Sequence, residues 1–312
     1  MSLPVCSLGE YSGCLQGACP RGKRHRSQGN PIPAVEENEV LVRVRAIGPN
    51  PIDVTAYRFF HETCSHRVRL YGEVVKLGPN LKVDLKVWDK VSATIALLAV
   101  SVQVASLQAH RLCSSQGDGK HVVFVYGGSS GVGQFAIQLA KLSGYKVVTV
   151  ASPRNHELLK SFEAGAVFDY RDPEMVKEVK DVAGNNISHV FDPIAGNDTQ
   201  LTAVKVLAEH DKPGKIILSP KESTTSGRTS RSKVLIDIFC SYGFGHAGLG
   251  PGDDARRVLS AFLQKIPELV RGRKLKCIPV KNFDGGLEIV VSDGFEYIPS
   301  GKVRAEKVVF TV

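Results

Sequence analysis

The segment YGGSSGVG, Tyr126 to Gly133, gathers four glycines and two serines within eight residues. Glycines allow a sharp turn and leave backbone amides uncovered, so that an anionic group can come up against the chain itself. Where such a loop opens a helix, unpaired N–H groups and the positive end of the helix dipole add their attraction. The chemistry expected is the cradling of a pyrophosphate. Gly128, Gly131 and Gly133 supply turn and close approach, and Ser129 and Ser130 offer hydroxyls. A bare GxxGxG is also an ordinary structural turn, and it gains meaning only between a strand and a helix.

A second locus is Ser152-Pro153-Arg154-Asn155. If it follows the second strand of the same unit, it lies where an acidic residue would hydrogen-bond the ribose of NAD. A hydroxyl and a guanidinium stand there instead, which suits a 2′-phosphate, so NADPH is the expected cofactor. The competing expectation is that Arg154 is a first-turn helix residue facing water.

The elements needed to hold these loci are legible. VVFVY (Val122 to Tyr126) is a continuous apolar run, and Val132, Phe135, Ala136, Leu139 and Ala140 then recur at helical spacing until Gly144. Strands are expected at Val147 to Ala151, Val167 to Tyr170, His189 to Asp192, KIIL (Lys215–Leu218) and Val234 to Phe239. Helices are expected at His156 to Phe162, from Asp172-Pro173 to near Gly184, over Leu201 to Glu209, and through Val258 to Ile266. Alternating strands and helices predict a parallel sheet covered on both faces. Before it, Val40, Val42 and Val44 alternate with polar neighbours and Gly72 to Leu77 precedes a Gly-Pro-Asn turn, the signs of a β-rich region. Lys274 to Val312 reads as strand, helix and strand.

Composition fits a soluble globular protein: of 312 residues, 43% are hydrophobic and 23% charged. The net charge of +9 is partly concentrated in RGKRHR (Arg21–Arg26), read as a solvated arm rather than a nucleic-acid patch because no aromatics are interleaved. Seven scattered cysteines without a C-x-x-C pair give no disulfide framework or zinc ribbon. Ser92 to Ala109 is uncharged but rich in Ser, Thr and Gln, and is expected to be buried core rather than a membrane span. With no signal-like start, the expected location is the cytoplasm.

With these residues in view, the chain resembles the medium-chain dehydrogenase/reductase superfamily, in particular its zinc-free quinone-reductase-like branch and the fungal trans-acting enoyl reductases of polyketide synthesis. The resemblance rests on ENEVLVRVRAIGPNPID (Glu37 to Asp53), GEVVKLGPN (Gly72 to Asn80), VYGGSSGVGQFAIQLAKLSGYKVVTVASPRN (Val125 to Asn155), GAVFDYRDP (Gly165 to Pro173) and GKVRAEKVVF (Gly301 to Phe310). It implies an α/β fold, a Rossmann-type parallel sheet inserted in a reduced GroES-like β domain. The expected divisions are an N-terminal segment 1–33, a truncated GroES-like substrate domain 34–112, a Rossmann NADPH-binding domain 113–270, and a return to the first domain at 271–312.

Carried over by position, the resemblance implies that Ser129, Ser130, Gly131 and Val132 touch the cofactor phosphates. Ser152, Arg154 and Asn155 would meet the 2′-phosphate and Tyr170 the adenosine region. Ile217 and Leu218 would line the nicotinamide side, Val303 would approach from the C-terminal return, and Asn50, Pro51 and Asp53 match an Asn-Pro-x-Asp turn below the nicotinamide. A polyketide synthase partner presenting an enoyl group follows from the same resemblance, with a monomer or homodimer as the assembly.

The departures fall in the first domain. Val54 and Thr55 replace the Trp-Lys pair that usually follows the Asp, the stretch between Val91 and His121 is short, and Trp88 stands where the family has Gly. His61 and Glu62 lack supporting ligands, so no metal site is expected. Reduction of an activated alkene needs a proton and an oxyanion donor; Tyr57 and Thr55 are the candidates, with His61, a ribose hydroxyl or water as alternatives. The functional expectation is an NADPH-dependent enoyl or quinone reductase. The alternative is a non-catalytic or degenerate NADPH-binding protein with a regulatory or RNA-associated role.

Overall fold

Four wholly apolar residues in succession can be accommodated only where both faces of a strand are covered, and Val122–Val125 forms such a strand, with every residue buried. A computed structural model of the chain describes Ile32 and residues 34–49, 69–94, 120–207, 215–218, 235–238 and 264–312. Contacts divide the chain into two units, Met1–Ala99 with Pro279–Val312, and Val100–Ile278. The sequence-derived divisions lay at 112/113 and 270/271. Residues 271–278 belong with the second unit: Leu275 packs against Leu139, and Lys276 N–H donates to Gln138 Oε1 at 2.7 Å.

The second unit holds a six-stranded sheet. In chain order its strands are β4 (Val122–Val125), β5 (Lys146–Val150), β6 (Ala166–Phe168), β7 (Ile187–Asp192), β8 (Lys215–Leu218) and β9 (Leu235–Ile238). They lie side by side as β6-β5-β4-β7-β8-β9, every neighbouring pair parallel. Helices α1 (Gly131–Leu142), α2 (His156–Ser161), α3 (Met175–Ala183) and α4 (Asn197–Leu207) connect successive strands. Alternation along β4 assigns the helices to faces: Val123 and Val125 pack with Ala136, Ile137, Ala140 and Leu159 from α1 and α2, while Val122 and Phe124 pack with Val179, Ala203 and Val206 from α3 and α4. The order is that of a doubly wound dinucleotide fold, in which the chain reverses direction of winding between β4 and β7.

Two helix starts differ from the sequence reading. Asp172 does not cap α3; its carboxylate accepts from Glu174 N–H at 2.8 Å in a local turn, and the helix begins at Met175. Helix α4 begins at Asn197, before Leu201, because Thr199 and the preceding turn organise its first residues. A helical stretch at 264–271 carries Ile266 onto Leu139 and Leu275.

The first unit holds a five-stranded sheet formed by β1 (Val40–Ile47), β2 (Arg69–Leu77), β3 (Lys90–Thr94), β10 (Val280–Asp284) and β11 (Lys307–Thr311), in the order β10-β11-β1-β2-β3. Strands β1, β2 and β3 form an antiparallel meander, β11 adds antiparallel to β1, and β10 runs parallel to β11 after a helical crossover. Its core is small, centred on Val42 and Val74 on one side and Phe310, Val290 and Phe295 on the other. Trp88 is 64% exposed and holds φ +76°, a left-handed conformation costly for any residue but glycine.

Candidate functional site

Among the described residues of the second unit, the glycine loop, Ser152, Arg154, Asp169, Tyr170 and Asp192 stand at the carboxyl ends of the strands, the edge at which open α/β sheets bind ligands. On leaving β4 the chain is fixed to both neighbours: Tyr126 N–H donates to Phe191 O at 2.9 Å on the β7 side, and Gly128 N–H to Val150 O at 3.1 Å on the β5 side. Gly127 makes the turn at φ +70°, and its carbonyl accepts from Ser130 N–H at 3.0 Å. Ser130 is the N-cap of α1, its Oγ accepting from Gly133 N–H at 3.0 Å, which commits that side chain to the helix. Fully buried Gln134 donates to Ser129 O at 3.0 Å and so fixes the loop from beneath.

The glycines divide into two kinds. A Cβ on Gly128 would collide with Thr149 Oγ1, and one on Gly133 with the carbonyl of Gly127. Both are therefore required by packing. Among the described residues a Cβ on Gly131 would meet only Ile278 Cδ1, at 3.5 Å, an ordinary contact. The described residues leave room beside Gly131, and the amides of Gly131 and Val132 have no acceptor among them. A backbone cradle with free first-turn amides and no side chain in the way fits a diphosphate.

At the end of β5 Ala151 leads into Ser152 and a single 3-10 turn, Pro153–Asn155, closed by Asn155 N–H on Ser152 O at 2.9 Å. Arg154 is exposed and forms no ion pair among the described residues. His156 opens α2, and its Nε2 lies 3.1 Å from Ala151 O. At the end of β6, Asp169 takes three hydrogen bonds from Arg171: from Nε at 3.0 Å and backbone N–H at 3.1 Å to Oδ1, and from a terminal nitrogen at 2.8 Å to Oδ2. Arg171 holds the Asp169 carboxyl below its ordinary range. The same guanidinium lies 5.6 Å from the ring centroid of Tyr170, which is 44% exposed.

Asp192, at the end of β7, is a residue the sequence reading placed only as a strand terminus. It is completely buried. Its Oδ1 accepts from Ile194 N–H at 2.9 Å and Ala195 N–H at 3.0 Å, and its Oδ2 from Thr199 Oγ1 at 2.5 Å. Burial pushes its carboxyl up, with the Thr199, Ala195 and Ile194 hydrogen bonds opposing. The turn it builds, with Ala195 at φ +52°, sets Ile194 against Gly127, where an added Cβ would lie 2.7 Å from Ile194 Cγ1. Burial, followed by the negative charge of Asp192, pushes the nearby Tyr126 phenol up as well. Nothing local in the sequence separates Asp192 from an Asp that ends a strand facing water; its burial and its partners come from the fold.

Of the expected cofactor residues, Gly128, Ser129, Ser130, Gly131, Val132, Gly133, Ser152, Arg154, Asn155 and Tyr170 come together at this edge of one sheet. Ile217 and Leu218 lie in β8, paired in register with Phe191 and Asp192. Val303 lies in the first unit, partly buried in the cluster around Phe310. Asn50, Pro51, Asp53, Thr55, Tyr57, His61 and Glu62 lie outside the described residues. Among the described residues no three Cys, His, Asp or Glu side chains gather as a metal ligand set, and no helix is long and apolar enough to cross a membrane.

Comparisons with known proteins bear on the family and the fold. Residues 131–218 match the family model described as zinc-binding dehydrogenase. The chain is 31% identical to the trans-enoyl reductase fsa3 of a Fusarium species, over 85% of this chain and 74% of that one. It is 27% identical to the trans-enoyl reductase RAP1 of Pyricularia oryzae, over 90% of this chain and 92% of the relative. Among solved structures, the CurK enoyl reductase shares the fold, with a TM-score of 0.68 at 18% identity, over 92% of this chain and 94% of that one.

Proposed function

Since the chain belongs to the medium-chain dehydrogenase/reductase superfamily, within its fungal trans-enoyl reductase branch, we propose that it reduces an activated carbon–carbon double bond, an enoyl thioester or an enone or quinone, with NADPH. The observation that carries the reading is the cradle at the β4/β7 switch point, where, among the described residues, Gly131 alone of the loop glycines leaves room and the amides of Gly131 and Val132 have no acceptor. In this reading the amides of Gly131 and Val132, with the Ser129 hydroxyl, hold the diphosphate. Ser152, Arg154 and Asn155 receive the 2′-phosphate, and Tyr170 flanks the adenosine. The strand end at Ile217 and Leu218 borders the nicotinamide.

These residues would hold the cofactor, whose chemistry when bound would be donation of a hydride for addition to the β-carbon of the alkene. The chain's own contribution is to hold it in one orientation, a source of rate in itself. Tyr57 and Thr55 are proposed as the groups that stabilise the carbonyl oxygen and return a proton to the α-carbon. The substrate is proposed to arrive as a carrier-bound thioester from a polyketide synthase acting in trans.

The experiment is a titration with NADPH, read by melting temperature, followed by NADPH oxidation with a crotonyl thioester or a quinone as acceptor. Binding with turnover on either acceptor is expected. Binding with no turnover on both would replace the reductase with a nucleotide-binding protein, and a melting temperature indifferent to NADPH would remove the whole reading.

A further inference from the structure

Two arginines stand at the carboxyl edge on the β5 and β6 side, and the structure treats them differently. Arg154 is exposed without an ion-pair partner among the described residues, whereas Arg171 is fastened to Asp169 through both its Nε and a terminal nitrogen. The pair is adjacent to the turn carrying Ser152, Arg154 and Asn155. Ala151 N–H donates to Phe168 O at 2.9 Å, joining the residue before that turn to the one before Asp169. His156, whose ring meets Ala151 O, is also near enough to favour the charged form of Asp169.

A carboxylate in this neighbourhood presents a problem for a phosphorylated ribose and none for an unphosphorylated one. In Rossmann units an acidic residue near the ribose selects NAD by accepting from its hydroxyl and repelling a phosphate. Here the acid sits one strand further out, just past β6 rather than β5, and it comes with its own cation. We propose that Arg171 is a specificity-determining residue: by neutralising Asp169 it removes a repulsion that would otherwise act on the 2′-phosphate, while Arg154 is left free to pair with that phosphate. The proposal rests on the reading that NADPH lies along this edge. The same arrangement places the Arg171 guanidinium over Tyr170, so the pair also restrains the ring proposed to flank adenosine.

The test compares NADPH and NADH dissociation constants for the full-length protein and three variants, with melting temperatures recorded alongside. Arg171→Ala exposes the Asp169 charge. It is expected to weaken NADPH roughly five- to tenfold, the order of one partly screened charge interaction, and NADH by less than about twofold. Combining Arg171→Ala with Asp169→Asn removes charge and cation together and is expected to restore most of the NADPH affinity. Arg171→Lys, which keeps the charge but not the two-point grip, should retain part of the preference, and the discrimination should shrink as salt is raised.

Equal weakening of both cofactors by Arg171→Ala would reduce the pair to a support for Tyr170 and overturn the proposal. So would failure of the double variant to recover. If the unaltered protein binds NADPH while the ratio is insensitive to all three variants, this inference falls and the functional reading stands. If the unaltered protein binds neither dinucleotide, both fall.

Discussion

The two sheets of this molecule differ in what their strand ends carry. In the six-stranded parallel sheet the central strand β4 is covered on both faces, and several polar residues gather toward the carboxyl edge: Thr149 and Asp192 are wholly buried yet hydrogen-bonded, and Ser152, Asp169 and Tyr170 lie just past strand ends. In the five-stranded sheet, β1 and β2 meet antiparallel with two register shifts, and charged side chains such as Arg45 and Glu73 pair on the open face at 2.9 Å. A parallel sheet concentrates chemistry at one edge, and a one-sided antiparallel sheet spreads its polar groups over a surface. The same contrast explains why twelve of the expected cofactor residues fall in one unit.

The sharpest way to break that contrast is within the glycine loop itself. Gly133→Ala forces a methyl into the Gly127 carbonyl, where backbone must move, and is expected to cost about 1–3 kcal/mol of stability as overpacking. Gly131→Val should leave the urea midpoint close to that of the parent protein while abolishing NADPH binding, because its side chain enters only the space proposed for phosphate. Were both variants to lose stability equally, or both to bind NADPH normally, the division between packing glycines and an approach glycine would be lost.

Next in size is Arg154→Ala. Removing a guanidinium from a phosphate is worth about 1.5–3 kcal/mol, so NADPH should weaken by roughly ten- to a hundredfold. NADH should be little affected, and calorimetry with both cofactors separates the outcomes. Equal loss for the two would return Arg154 to the solvent-facing helix residue that the sequence also allowed.

How much was legible follows the same line. The loop could be read because its residues are contiguous and lie between an apolar run and a helical period, and Arg154 because it is offset by a fixed few residues from a strand end. Asp192 could not, since its importance comes from complete burial and from Thr199, Ile194 and Ala195 converging on it, and an Asp at a strand end looks the same whether it faces water or core. The start of α3 was misplaced because Asp172-Pro173 makes a local turn with the same residues that would cap a helix. In the first unit the strands were readable from alternation, while the proton-donor candidates Thr55 and Tyr57 depend on residues outside the described part of the structure.

Asp192 offers a pH-dependent test. Its folded-state carboxyl is raised above the ordinary 3.8 by burial, so its contribution is fully present below that value and is lost as pH climbs through the raised folded-state pKa. Asp192→Asn keeps an acceptor for Ile194 and Ala195 and cannot ionise. Melting temperatures of the two proteins, taken from about pH 4 to 8, should therefore shift in favour of the variant as pH rises. A difference that stays constant across the range would show that the carboxyl ionises as easily folded as unfolded.

The smallest effect belongs to the other sheet and concerns Trp88. Its left-handed φ of +76° costs about 1–2 kcal/mol for a residue with a Cβ, and at 64% exposure the indole has little burial to set against that. Trp88→Gly should relieve the strain, less the extra freedom glycine gains in the unfolded chain, for a net gain of about 0.5–1 kcal/mol. Trp88→Ala removes the ring but keeps the strain and should bring no gain, which distinguishes backbone relief from loss of an exposed aromatic. Because this is the chain's one tryptophan, unfolding in urea is followed by circular dichroism rather than by fluorescence. A lower midpoint for the glycine variant would mean that the indole contributes contacts outweighing its backbone cost, and the first sheet's surface would then hold a feature as specific as those at the edge of the second.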